Sequence, residues 1–282
     1  MPPGPGVLYV VATPIGNLED FTFRALRILK EVDLIAAEDT RRTAKLLAHY
    51  GIAKPVVSLR QHNESRETPR LIDKMVAGTR IALVSDAGTP AIADPGARLV
   101  RAALAKGLTV TPIPGPSAIT AALSVSGLPS TDFVFMGFPP ATGSARRAWF
   151  ERLAQEPRAV VFFEAPHRIQ RTLDEAILVL AERQILVHRE ITKINEELVI
   201  THKMKPIGEF TVVVAPIERD ASASESGVEF GFSDVLIGQT IESGLFDSIC
   251  LAKIVAALAG CSEQAARKAI KKHLIKVKQQ KQ

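Results

Sequence analysis

The chain has 282 residues, 46% hydrophobic and 23% charged, with a formal net charge of +5. That length supports about two globular domains, each with its own core. No apolar run approaches the ~18 residues of a membrane span, and two cysteines, Cys250 and Cys261, with six scattered histidines form neither a disulfide framework nor a zinc spacing, so no metal site is expected.

The amino terminus, MPPGPGVLYVVA, lacks the basic and long apolar regions of a signal peptide, which implies a cytoplasmic protein and a first strand at 7–12. A helix is expected at 22–31, an apolar strand at 34–37, a helix at 41–50 stopped by Gly51, and a strand at 56–59. Residues 64–76 are amphipathic, with Leu71, Ile72, Met75 and Val76 at helical spacing and Gly78 beyond the end. Residues 81–84 form an unbroken apolar run, the pattern of a strand covered on both faces. Asp94 and Pro95 read as an N-cap followed by proline at the first helical position, which starts a helix running to about Lys106. The strand at 110–113 leads into Pro114, Gly115, Pro116 and Ser117, which open a small-residue helix ending near Gly127. This alternation implies a mostly parallel sheet wrapped by helices.

The second half has strand-like runs at 133–136, 160–164, 185–190, 198–200 and 210–214, with helices at 145–155 and 168–182. Fewer helices separate its last strands, so a mixed sheet is expected. The Pro-containing loop 137–143 sets a boundary between an α/β domain at 1–136 and a second at 137–218. Residues 219–245 begin with a Ser, Ala, Gly and Glu-rich linker, and 246–282 read as a basic extension of two short helices about Gly260, with Ser262 as the second N-cap. From Lys253 onward eight basic residues face Glu263 alone, a local charge of +7 that leaves −2 for the rest. Such asymmetry points to a polyanion, or to a merely solvated tail.

Five strand exits, 13–20, 38–42, 60–64, 85–90 and 114–117, converge on one edge of the first sheet, where open α/β sheets bind ligands. In SDAGTP, Gly88 permits positive φ or close backbone approach, and Asp86 suits ribose hydroxyls or an amine; the loop equally suits an ordinary βα turn. Pro14, Ile15, Gly16 and Asn17 read as a turn or a site, with neither a G-x-G-x-x-G nor a P-loop pattern present. AEDTRR (Glu38, Asp39, Thr40, Arg41, Arg42) and RQHNE (Arg60, His62, Asn63, Glu64) are polar clusters without a core role.

VVATPIGNLEDFTFRALRILKEVDLIAAEDTRRTAKLL, SLRQHNE, ALVSDAGTPAIADPG, PIPGPSA, GFPP, FFEAPHRI and REITK occur in this order over about residues 8–216. In this the chain resembles the tetrapyrrole-methylase superfamily and, more narrowly, its branch of ribosomal RNA small subunit methyltransferase I. The resemblance implies an α/β, two-domain tetrapyrrole-methylase-like fold, a homodimer, and S-adenosyl-L-methionine in the cleft between domains. It also implies transfer of a methyl group to the 2′-hydroxyl of a cytidine in the decoding region of 16S ribosomal RNA, naked or in the assembled small subunit. Carried over by motif, Pro14, Gly16, Asn17, Asp86, Ala87, Gly88, Ser117, Ala118, Gly137 and Phe138 would bind the cofactor.

Glu164, Glu190 and Lys193 are the catalytic candidates: a carboxylate to take the proton, and a lysine that lowers the hydroxyl's pKa or acts as base if desolvation depresses its own. Arg189, Glu190 and Lys193 equally suit simple interdomain ion pairs. Arg60, His62, Arg168, Lys268, Lys271 and Lys272 are the RNA-binding candidates. A small-molecule, tetrapyrrole-type methylase and a non-catalytic RNA-binding protein of the same fold are the alternatives; the basic tail favours RNA over the first, and the intact SDAGTP and PGPSA loops argue against the second. One departure from the family is the short INEELVITHKMKPI segment before GEFTVVV, where a truncated helix or edge strand is expected, with consequences for RNA docking.

Overall fold

Apolar runs in the first half become buried parallel strands because both of their faces are covered. In chain order the elements are β1 (Val7–Val11), α1 (Phe23–Glu31), β2 (Leu34–Ala37), α2 (Thr40–His49), β3 (Val56–Ser58), α3 (Glu64–Val76), β4 (Ile81–Val84), α4 (Ala97–Ala105), β5 (Thr109–Ile113) and α5 (Ala118–Ser124). The computed structural model describes Gly4 and residues 6–128, 132–180, 183–199 and 205–217, all within one compact unit. The linker, the basic extension and both cysteines lie outside the described residues.

The first sheet has the order β3-β2-β4-β1-β5, with every pair parallel. Along β4, Ala82 and Val84 face a cluster built with Ala25, Ile28 and Leu29 of α1 and Leu47 of α2, while Ile81 and Leu83 face Leu71 and Met75 of α3 and Leu99 of α4. The period of two therefore sends successive apolar residues into two different cores. The helices that follow the adjacent strands β1 and β4 lie on opposite faces, and a crevice opens where their carboxyl ends part.

Helix starts are set by local chemistry. Thr22 Oγ1 accepts from the Ala25 N–H at 3.1 Å at α1, and Asp39 Oδ1 accepts from the Arg41 N–H at 2.8 Å at α2. At α4 the N-cap is Gly96, not Asp94, and Glu64 Oε1 accepts from the N–H groups of both Gly96 and Arg98 at 3.0 Å. The cap thus arrives from the first residue of α3, and Asp94 is released to another use.

The second half continues with β6 (Phe133–Phe135), α6 (Gly143–Gln155), β7 (Ala159–Glu164), α7 (Ile169–Leu180), β8 (Ile185–Arg189), β9 (Glu197–Val199) and β10 (Phe210–Val214). Its sheet is mixed, in the order β6-β7-β10-β8-β9, with only β6 and β7 parallel. The expected edge strand is β9, which pairs with β8. Because β6 belongs to this sheet, the chain changes sheets before Phe133, slightly ahead of the 136/137 boundary read from the proline loop.

One face of the second sheet is covered by Trp149, Phe150 and Leu153 of α6 and Leu173 and Ala176 of α7. The other face is covered by Ile119, Ala122 and Leu123 of α5, packed on Val161, Leu186 and Val213. A helix reached directly from the last strand of the first sheet thereby forms part of the core of the second. Among the described residues no helix is long and apolar enough to cross a membrane.

Candidate functional site

At the crevice the exits of β1 and β4 are joined through the main chain. The Thr13 N–H donates to the Gly88 carbonyl at 2.9 Å, and the Gly88 N–H donates to the Thr13 carbonyl at 3.0 Å. Gly88 holds φ +74°, the left-handed region open to glycine, so the loop turns back toward β1 without strain. The β2 exit is added by Asp86, whose Oδ1 accepts from the Asp39 N–H at 2.9 Å and whose Oδ2 lies 3.4 Å from Arg42. Asp86 is therefore already engaged as an acceptor: it fastens the β2 exit to the β4 exit and lines the ligand space at the same time.

A cavity of about 380 Å³ occupies this crevice, with Asp86, Ala87, Gly88, Ser117 and Ala118 on the first-sheet side. Phe138, Phe163, Glu164 and residues 209–211 close it from the second sheet. Phe138 is half exposed and its ring lies 5.6 Å from that of Phe163, forming an aromatic wall. Gly137 does not line it; its carbonyl accepts from the Phe163 N–H at 2.9 Å, which sets the position of Phe138.

Two carboxylates that sequence reasoning did not assign to a site also line the cavity, Glu38 and Asp94. Burial pushes the Glu38 carboxyl above its ordinary range, and the charge of Asp86 adds to this. Burial, and then the charge of Glu38, push Asp94 up to about 6. Asp94 was hidden in the sequence by its place before Pro95, which imitates a helix start.

A second cavity of about 530 Å³ adjoins the first, sharing Ile15, Arg42, Asp86, Ala87 and Glu209. Pro14, Gly16 and Lys193 line this one and not the first. Asn17 lines neither. Its N–H donates to Thr192 Oγ1 at 3.0 Å across the two halves, while its side-chain oxygen accepts from the Glu19 N–H at 3.0 Å.

Lys193 Nζ donates to Glu190 Oε1 at 2.8 Å and to Glu209 Oε2 at 3.1 Å, and Glu190 Oε1 also accepts from the Glu209 N–H at 2.8 Å. Burial works against both charges, but these hydrogen bonds prevail: Glu190 is held below, and Lys193 above, its ordinary range. The lysine is thus a fixed cation and not a base with a depressed pKa. Arg189 pairs with Glu197 at 2.8 Å, so the expected interdomain ion pairs of this motif fall within the second half.

Glu164 is buried, and both of its oxygens are engaged. Oε1 accepts from the Ala165 N–H at 2.7 Å and meets Arg168 at 2.6 Å, while Oε2 accepts from Thr172 at 2.6 Å. Arg168 is accordingly a partner of Glu164 before it is anything else. Arg60 Nε donates to the Glu38 carbonyl at 3.0 Å, and His62 is exposed in the neighbouring turn. Neither lines either of these two cavities, and Lys268, Lys271 and Lys272 lie outside the described residues.

The model of the tetrapyrrole (corrin/porphyrin) methylases matches residues 7–205. A ribosomal RNA small subunit methyltransferase I from Xylella fastidiosa strain Temecula1 is 48% identical over 236 residues, covering 79% of this chain and 86% of the relative. One of the same description from Pseudomonas aeruginosa is 45% identical over 233 residues, covering 82% and 78%. Among solved structures, a diphthine synthase aligns with a TM-score of 0.57 at 17% identity over 74% of this chain and 90% of that one. A uroporphyrin III C-methyl transferase from Thermus thermophilus aligns at 0.54 and 18% over 74% and 97%; both are likenesses of fold alone. By its matched residues and its relatives the chain belongs to the tetrapyrrole methylase family, in its branch of ribosomal RNA small subunit methyltransferase I.

Proposed function

We propose that this chain is an S-adenosyl-L-methionine-dependent methyltransferase that modifies the 2′-hydroxyl of a cytidine in the decoding region of 16S ribosomal RNA, acting in the cytoplasm as a homodimer. The observation that carries the reading is the crevice cavity with Glu38 and Asp94 on its wall. Its volume of about 380 Å³ lies within the range of about 300–1,000 Å³ usual for small-ligand pockets. Two carboxylates kept from easy ionisation by burial and by neighbouring negative charge, that of Asp86 on Glu38 and that of Glu38 on Asp94, favour a ligand that brings positive charge. A sulfonium with an α-ammonium group meets that need, so the residues present fit the cofactor.

In this reading Ala87, Gly88, Ser117 and Ala118 bound the cofactor with main chain and small side chains, Phe138 offers an aromatic face, and Asp86 holds the frame. When bound, the cofactor supplies an electrophilic methyl group on sulfur. The protein's own task is then to hold a ribose hydroxyl in line and to stabilise the oxygen as its proton passes to solvent water. Lys193, protonated and anchored by Glu190 and Glu209, suits that stabilisation. Pro14 and Gly16 line the side from which the hydroxyl would come, and the basic residues from Lys253 onward, with Lys268, Lys271 and Lys272, would hold RNA beyond the crevice.

The test is methyl transfer from labelled S-adenosylmethionine to small subunits isolated from cells lacking this protein, followed by nucleotide mapping. Label on the 2′-oxygen of one cytidine of the decoding region is the expected result. Absence of transfer to both subunits and naked RNA would overturn the proposal. A chain ending at Asp247 should keep cofactor affinity and lose part of the salt dependence of RNA binding.

A further inference from the structure

The second cavity, from whose side the hydroxyl would come, has one wall to which the proposed function gives no role. Its outer wall is one face of α2: Arg42, Lys45, Leu46 and His49 line it, at spacings of three and four residues that stack side chains along a helix. Leu47, from the opposite face of α2, is buried in the first core, and the buried Thr43 also lines the cavity, so the stripe is fixed in direction. Pro14, Ile15 and Leu18 give the cavity an apolar floor, and Lys193 enters from the second half. Asp86 engages Arg42 at 3.4 Å and Glu209 engages Lys193 at 3.1 Å. Lys45 and His49 have no ion-pair partner among the described residues, and both are exposed.

We infer that this cavity is the seat of the target nucleotide, with Lys45 and His49 of α2 contacting the RNA phosphodiester next to the ribose that is methylated. The inference rests on the RNA methyltransferase reading and adds the surface that brings the substrate to it. Three features support the assignment. The two cavities share a wall at Ile15, Asp86 and Ala87, so a ligand in each would approach the other there. The free charge on α2, that of Lys45, is positive, whereas the cofactor side carries Glu38 and Asp94, so the two compartments have opposite preferences and each discriminates against the other's ligand. Finally, apolar floor beneath cationic rim suits a nucleotide, whose base and sugar pack while its phosphate pairs.

The experiment uses the full chain, Lys45→Gln and the double variant Lys45→Gln/His49→Gln, with a fluorescent single-stranded oligonucleotide of the decoding-region sequence. Binding is followed against salt, and S-adenosylmethionine affinity is measured by calorimetry on the same preparations. Lys45→Gln is expected to weaken RNA binding on the order of five-fold and to reduce the steepness of the log–log salt plot by about 0.7 per lost phosphate contact. The double variant should go further, with KM for RNA raised, kcat kept and cofactor affinity unchanged. Intact cofactor binding with an unaltered salt slope in both variants would overturn the seat while leaving the methyltransferase reading in place. Conversely, a wild-type chain that transfers no methyl group, with RNA affinity and slope lost on substitution of Lys45, would remove that reading and the methylated nucleotide's seat with it, and would keep only an RNA contact on α2.

Discussion

The N–H of Asp39 donates to Asp86 Oδ1 at 2.9 Å, so a single side chain ties the exit of β2 to that of β4. Its second oxygen meets Arg42 at 3.4 Å. Asp86→Ala is expected to lower S-adenosylmethionine affinity about ten-fold, because the β2 and β4 exits that frame the crevice lose their tie, and to lower the melting temperature as befits loss of a charge-assisted hydrogen bond of about 1.5–3 kcal/mol, with the chain still folded. Calorimetry and thermal melting measure the two effects; unchanged affinity would reject the role.

Asp94, raised to about 6, makes stability fall as pH rises. Between the ordinary aspartate value of about 4 and this one, the folded chain keeps a proton that the unfolded chain releases, so the unfolded state gains on alkalinisation. Asp94→Asn should therefore flatten the melting temperature between about pH 4 and 6 and raise it above pH 6, while weakening cofactor binding there. Identical pH profiles for the two proteins would dismiss the assignment.

Glu164 serves the fold before any chemistry. Glu164→Gln leaves Arg168 without its buried counter-charge and should cost about 2 kcal/mol in urea unfolding, a loss in the range of hydrogen bonds to charged groups. Methyl transfer per folded molecule is expected to stay within a few-fold of wild type. Full stability combined with lost turnover would instead make it a catalytic group.

At Gly16 an added Cβ would run into Lys193 Cγ and come within 2.8 Å of Thr192 Oγ1. Gly16→Ala should push the β1 exit loop away from the 191–193 turn, at a cost of about 1–3 kcal/mol for overpacking. Because the same turn carries Lys193, kcat should fall more than cofactor affinity. Single-turnover rates beside calorimetry separate the two.

Strands were legible wherever burial on both faces leaves a continuous apolar run, as in β2 and β4, and helices wherever the apolar stripe is regular, as in α3. The change of sheet ahead of Phe133 was not, because a short strand carries no mark of the sheet it joins. At the site, the strand-exit loops were visible as polar clusters, yet their division between two cavities was not. Asp94 was misread because Asp-Pro imitates a helix start, while the actual cap, Glu64, lies 32 residues away from Gly96. The protonation of Lys193 was likewise invisible, since Glu209, one of its two partners, lies on a different segment. Pairings of this kind follow from tertiary neighbours and leave no local trace.

The reciprocal main-chain pair between Thr13 and Gly88 has a consequence for adaptability. Since peptide groups hold the rim of the crevice, side chains lining it, such as Ile15 and Ile92, can be exchanged while the rim keeps its outline. A scaffold of that sort permits successive changes of guest with the backbone left undisturbed, which makes it a favourable starting point for redesigning what the pocket accepts.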